Sequence, residues 1–163
     1  MAIPAAGRLV RLRGSNRKGV ICGGFALILL AASIKAADIE HLASPQSRSL
    51  NLPFSEAVRV GDTIYLSGQI GNIPGEKRLV EGGIGPETKQ TMLNIKATLE
   101  RHGSSLERVV KCTVFLADIA EWSAANEVYK QFFGPDYPAR SAIAGSGLAL
   151  GARVEIECIA VAE

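Results

Sequence analysis

Tyr137-Pro-Ala-Arg-Ser-Ala-Ile-Ala-Gly-Ser-Gly-Leu-Ala-Leu-Gly-Ala-Arg-Val-Glu-Ile-Glu-Cys-Ile-Ala-Val161 reads as two short strands around a glycine-rich connection. Arg140 opens the first strand, and Glu155 and Glu157 alternate with apolar residues in the second. That alternation sends both glutamates to the sheet face opposite Val154, Ile156 and Cys158. A guanidinium and a carboxylate facing one cleft could hold an anionic substrate and a water. Gly145 to Gly151 has the composition of a phosphate loop but joins strand to strand, where phosphate-binding loops run from strand into helix. From the residues alone, Arg140 is either a carboxylate anchor, or one half of a structural ion pair or a solvated strand end.

Working towards the N-terminus, two helices and three further strands take shape. Ala57–Val60 and Thr63–Ser67 flank Gly61-Asp62, a hairpin pattern, and a glycine-rich surface loop covers 71–85. A helix starts at Pro86, buries Met92, Ile95 and Leu99, and stops at Gly103. Val109–Leu116 is an eight-residue buried strand. Asp118 and Glu121 then form a capping-box pattern for a second helix, whose Trp122, Ala125, Tyr129 and Phe132 share a face. The order β-β-α-β-α-β-β predicts an α+β two-layer sandwich with both helices on one face of a mixed sheet. Its uncovered face then has to meet another subunit, which predicts a homo-oligomer.

The chain has 163 residues, 47% of them hydrophobic and 21% charged, enough for one domain with a real core. Arg8, Arg11, Arg13, Arg17, Lys18 and Lys35 all precede the first acid, Asp38, and bracket sixteen uncharged residues from Gly19 to Ile34. That run is shorter than the ~20 residues of a membrane span. Residues 1–37 therefore read as a secretory signal peptide, with an uncleaved N-terminal anchor or an organellar transit peptide as alternatives. A periplasmic or secreted protein is expected, membrane-associated only if the leader is uncleaved. Residues 38–49 read as a flexible lead-in and 50–163 as the domain.

Without the leader, 12 of the 18 basic residues remain against 16 acidic ones, a net of −4, so no nucleic-acid partner is expected. Cys112 and Cys158 sit in strand interiors and are expected as buried free thiols, a disulfide being the lesser alternative. The two histidines, His41 and His102, are expected at the surface without partners. Triad, Cys-His and histidine-metal chemistry are disfavoured accordingly.

Pro138-Ala-Arg-Ser141 followed by Val154-Glu-Ile-Glu-Cys-Ile-Ala-Val161 resembles the signature of the RidA (YjgF) family. Ser67-Gly-Gln-Ile70, Asn94-Ile-Lys96, Val114-Phe115 and Asn126 through Tyr129 to Phe133 follow in matching order, so the resemblance spans about residues 50–161. It implies a chorismate-mutase-like fold and a homotrimer with clefts between subunits. It also implies hydrolysis of reactive 2-imino acids and their enamine tautomers to 2-oxo acids and ammonia, with no cofactor and no metal. By the same resemblance, Arg140 anchors the substrate carboxylate, Glu155 orients the attacking water, and Ser67 and Asn126 line the cleft. Ala142 stands where the family commonly has cysteine, and Phe54 where tyrosine is usual, which keeps an aromatic wall but removes a hydroxyl. The competing reading is a non-catalytic small-molecule-binding or stress-protective, holdase-like trimer. A nuclease is disfavoured by the acidic charge of residues 38–163.

Overall fold

The computed structural model describes residues 36–163, so nearly all of the leader assigned to 1–37 lies outside the described residues. Seven strands form one sheet: β1 (Ile39–Leu42), β2 (Ala57–Val60), β3 (Thr63–Leu66), β4 (Gln69–Ile70), β5 (Val109–Leu116), β6 (Ala139–Ala144) and β7 (Val154–Val161). Their order is β1-β2-β3-β7-β5-β6, with β4 also on β7. Three α-helices accompany them, α1 (Pro45–Ser49), α2 (Ile84–Arg101) and α3 (Trp122–Tyr129). All pairings are antiparallel except β5 with β6, which the α3 segment connects as a crossover. The α+β two-layer architecture with a mixed sheet is the one expected.

Side-chain alternation builds the core. Cys112, Val114 and Leu116 of β5 and Val154, Ile156, Cys158 and Ala160 of β7 are buried and point towards the helices. Met92, Ile95 and Leu99 of α2 meet them, each with no exposed surface. Burial of such a side chain contributes about 1.5–3 kcal/mol, so this stripe holds α2 to the sheet. The opposite face carries Tyr65, Ile143, Glu157 and the half-buried Phe115 and Glu155.

Several details differ from the sequence reading. Residues 38–49 are not a flexible lead-in. Ile39–Leu42 adds β1 to the hairpin edge, and Ser44 caps α1 through its hydroxyl, which accepts from Ser47 N at 3.0 Å. Backbone pairing to β2 organises this polar stretch, and composition carries no signal for that. Helix α2 begins at Ile84, ahead of Pro86, whose missing N–H costs nothing in a first turn. The capping box is only half made, because Asp118 caps a 3-10 turn at Ala120 N while Glu121 turns away to Arg153.

Cys112 and Cys158 are joined in a disulfide, which corrects the expectation of free thiols. They are register partners on β5 and β7, both facing the helices, with Cα atoms 4.1 Å apart. Each strand was legible alone, but their mutual register was not.

Candidate active site

Arg140 lies in β6 opposite Cys112, so its side chain runs along the helix-covered face, under α3. There it finds an acceptor and two rings. One guanidinium nitrogen donates to Asn126 Oδ1 at 2.6 Å, and its central carbon stands 4.9 Å from the Tyr129 ring centroid and 5.8 Å from that of Trp122. Both distances are within cation–π range. No carboxylate among the described residues pairs with Arg140, although Arg78, Arg101 and Arg153 each have one. Burial pushes the Tyr129 phenol up to about 12, against the opposing influence of the Arg140 charge, so the ring stays neutral. Ala142, two residues on, shares this face and packs against the core.

Glu155 is built on the other face. It pairs with Phe115, three residues beyond Cys112, and so points away from Arg140. An irregularity in the neighbouring strand shapes its surroundings. Between Tyr65↔Ile159 and Gln69↔Ile156, the three residues Leu66, Ser67 and Gly68 lie beside only Glu157 and Cys158, a β-bulge. The bulge brings Gly68 against the carboxylate so closely that a Cβ there would lie 1.9 Å from Glu155 Oε1. Ser67 donates its hydroxyl to Ser55 O at 2.7 Å, fastening the bulge to the segment that carries Phe54. Burial, and then the neighbouring Glu157 charge, raise the Glu155 pKa above the usual carboxylate value. Gly68, Glu155 and Phe54 line a cavity of about 520 Å³.

Glu56 anchors the wall of that cavity. Its carboxylate accepts from Ser44 N at 3.0 Å, Ser44 Oγ at 2.7 Å and Arg101 at 3.2 Å, and lies 3.1 Å from His102 Nε2. His102 is thus largely buried and partnered, not a free surface side chain, because the end of α2 meets the segment before β2. The start of β7 is held in a similar way. Glu87 Oε2 accepts from Arg153 N at 2.8 Å, and the Arg153 side chain grips Glu121 with both ends of its fork. Two residues before Glu155, the chain is therefore fastened to the starts of both α2 and α3.

The sequence-predicted residues thus fall into two groups. Arg140, Asn126 and Ala142 gather on the helix side, and Glu155, Phe54 and Ser67 around the bulge on the other. Within one chain Arg140 and Glu155 point to opposite faces of the sheet and do not share one cleft. Sequence reasoning missed Gly68, Glu56 and the guanidinium-facing role of Trp122 and Tyr129, which it saw only as a packing stripe. The Ser-Gly at 67–68 inside a strand pattern was the available signal for the bulge.

The chain belongs to the family described as Endoribonuclease L-PSP, whose model matches residues 46–162. It is 50% identical over 109 residues to a goat 2-iminobutanoate/2-iminopropanoate deaminase, covering 67% of this chain and 80% of that one. The human protein of the same description is 46% identical over the same length, again with 67% and 80% covered. Among solved structures, a Rid-family protein of Yersinia pestis superposes with a TM-score of 0.71 at 36% identity, over 76% of this chain and 99% of that one.

Proposed function

We propose that this protein hydrolyses 2-imino acids, and their enamine tautomers, to 2-oxo acids and ammonia without a cofactor. The observation that carries this reading is Arg140, half-buried between two rings, fixed by one amide and without a carboxylate among the described residues. Its fork is ready for the carboxylate of a small acid. The relatives described as deaminases supply the reaction class.

In the proposed mechanism Arg140 holds the substrate carboxylate and Glu155 accepts a hydrogen bond from a water. The water oxygen bonds to the iminium carbon, the C=N π electrons pass to nitrogen, and the water's proton passes to Glu155. Glu155 then returns that proton to the amine nitrogen. As the carbinol hydroxyl gives its own proton to Glu155, an oxygen lone pair forms the C=O bond and the C–N bond breaks with its electrons passing to nitrogen. Ammonia leaves the 2-oxo acid and takes up the proton from Glu155 as ammonium. Because the iminium carbon is already electrophilic, positioning does most of the work, and it can supply on the order of 7 kcal/mol or more. A carboxylate beside the cationic centre adds electrostatic stabilisation.

Since the half-sites lie on opposite faces of one sheet, the proposed site takes Arg140 from one subunit and Glu155 from the next. A closed ring of three copies would complete three such clefts and cover the open sheet face. The proposed location is the periplasm or outside the cell. It is supported by the basic-apolar pattern of residues 1–37 and by the Cys112–Cys158 disulfide, a bond that persists in oxidising compartments.

The test is a coupled assay in which an amino-acid oxidase generates the imine. Arg140→Ala in one subunit type mixed with Glu155→Gln in another should regain part of the activity that each variant alone lacks. No regain on mixing refutes the shared cleft, and parental activity of Arg140→Ala refutes the anchor.

A further inference from the structure

We propose that the site selects 2-imino acids with long apolar or aromatic side chains over the three- and four-carbon ones. This rests on the deaminase reading above. The cavity that reaches Glu155 and Gly68 measures about 520 Å³, within the range of roughly 300–1,000 Å³ that encloses drug-sized ligands. A three-carbon imino acid held beside Glu155 leaves most of it to water.

Its walls suit an apolar tail. Leu50, Leu52, Phe54, Ile70 and Leu150 line it, and Phe54 and Leu150 are 55% and 60% exposed instead of withdrawn into the core. Large apolar side chains converging on one carboxylate form a patch that burial of a ligand would stabilise. Two of the polar side chains on the walls are engaged elsewhere, Glu56 with Ser44, Arg101 and His102, and Asn94 with the carbonyls of Ile70 and Asn72. Leu150 sits in the left-handed region at φ 56°, an uncommon conformation for a residue other than glycine, and this fold keeps it at the cavity. The wall is also prebuilt, because Ser55 is tied to Ser67 and Glu56 to the end of α2, so a ligand need not order it.

The full-length protein is to be assayed by competition between semicarbazide and enzyme for imines made in situ by an L-amino-acid oxidase. The amino acids are alanine, 2-aminobutyrate, norvaline, leucine and phenylalanine. The expected result is a kcat/KM that climbs along the series, about tenfold or more from the alanine-derived to the leucine- and phenylalanine-derived imines. Ala97→Phe, which narrows the cavity on its α2 side, should lower the leucine-to-alanine ratio about tenfold. A kcat/KM that is flat or falls with side-chain size, with the alanine-derived imine still hydrolysed, overturns the selectivity and means that a partner subunit fills the cavity. If no imine is hydrolysed by the parent, the deaminase reading itself fails.

Discussion

Adding a single methyl group at Gly68 should disable Glu155, the carboxylate proposed to orient the attacking water, while leaving the fold intact. A Cβ at this position would stand 1.9 Å from Glu155 Oε1, 2.8 Å from its Cδ and 3.0 Å from its Cγ. Non-bonded contacts of this kind settle near 3.5 Å, so the carboxylate has to retreat by about 1.5 Å. The backbone itself accepts alanine, since Gly68 is not among the glycines in the left-handed region. A displacement of about 1 Å from attack geometry costs about 100-fold in rate, or about 2.7 kcal/mol of barrier. Gly68→Ala should therefore lower kcat about 100-fold with little change in KM, because Arg140 belongs to the other half-site. Its melting temperature should stay within a few degrees of the parent. The control is Gly68→Ala combined with Glu155→Gln, which should be no slower than Glu155→Gln alone, since both act through one carboxylate. Parental kcat in Gly68→Ala, or a double variant showing the product of the two losses, would refute the reasoning.

Other outcomes follow from the same geometry. Arg140→Ala should lose about 100-fold or more in kcat/KM, mainly through KM, and Trp122→Leu should show a smaller KM increase that Trp122→Phe restores, both read by steady-state kinetics. Burial and the Glu157 charge raise the Glu155 pKa, so the ionised form that orients water is lost as pH falls through a value above 4.5, and Glu157→Gln should shift this acid limb of kcat/KM to lower pH. Burial pulls the Glu56 pKa up, but hydrogen bonds from Ser44 and His102 and the Arg101 charge outweigh it and hold the pKa below 4.5. Its contribution to stability is therefore present above that pH and lost as pH falls through the depressed value, and in Glu56→Gln the melting temperature should vary less with pH in this acid range. The disulfide spans a sequence separation of 46 residues, for which loop-closure entropy gives about 4 kcal/mol, so Cys112→Ala/Cys158→Ala should melt on the order of 10 °C lower in calorimetry.

What the amino-acid order determined by itself was local and periodic. The three- and four-residue spacing of Met92, Ile95 and Leu99 specified the buried stripe of α2, because a helix brings those positions to one side whatever it packs on. Alternation in Val109–Leu116 and Val154–Val161 specified two central strands and sent Glu155 to the face away from Val154 and Ile156. Arg140, Glu155 and Glu157 were legible as candidates because charge inside an apolar run is costly and needs a reason, and the family resemblance then singled out Arg140 and Glu155.

Tertiary structure decided which residues became neighbours. Register pairs Cys112 with Cys158 and Arg140 with Cys112, which closes the disulfide and turns the arginine towards α3. The bulge at Leu66–Gly68 inserts one residue and sets Gly68 against Glu155, and the meeting of the α2 end with the chain before β2 makes Glu56 and His102 partners. These contacts join residues 28 to 87 positions apart, and the strand-borne ones depend on sheet pairing, in which a shift of one residue reverses every side chain. Local patterning and the family resemblance thus named the arginine and the glutamate, and the sheet placed them on opposite faces of one chain, which is why the proposed site needs two copies.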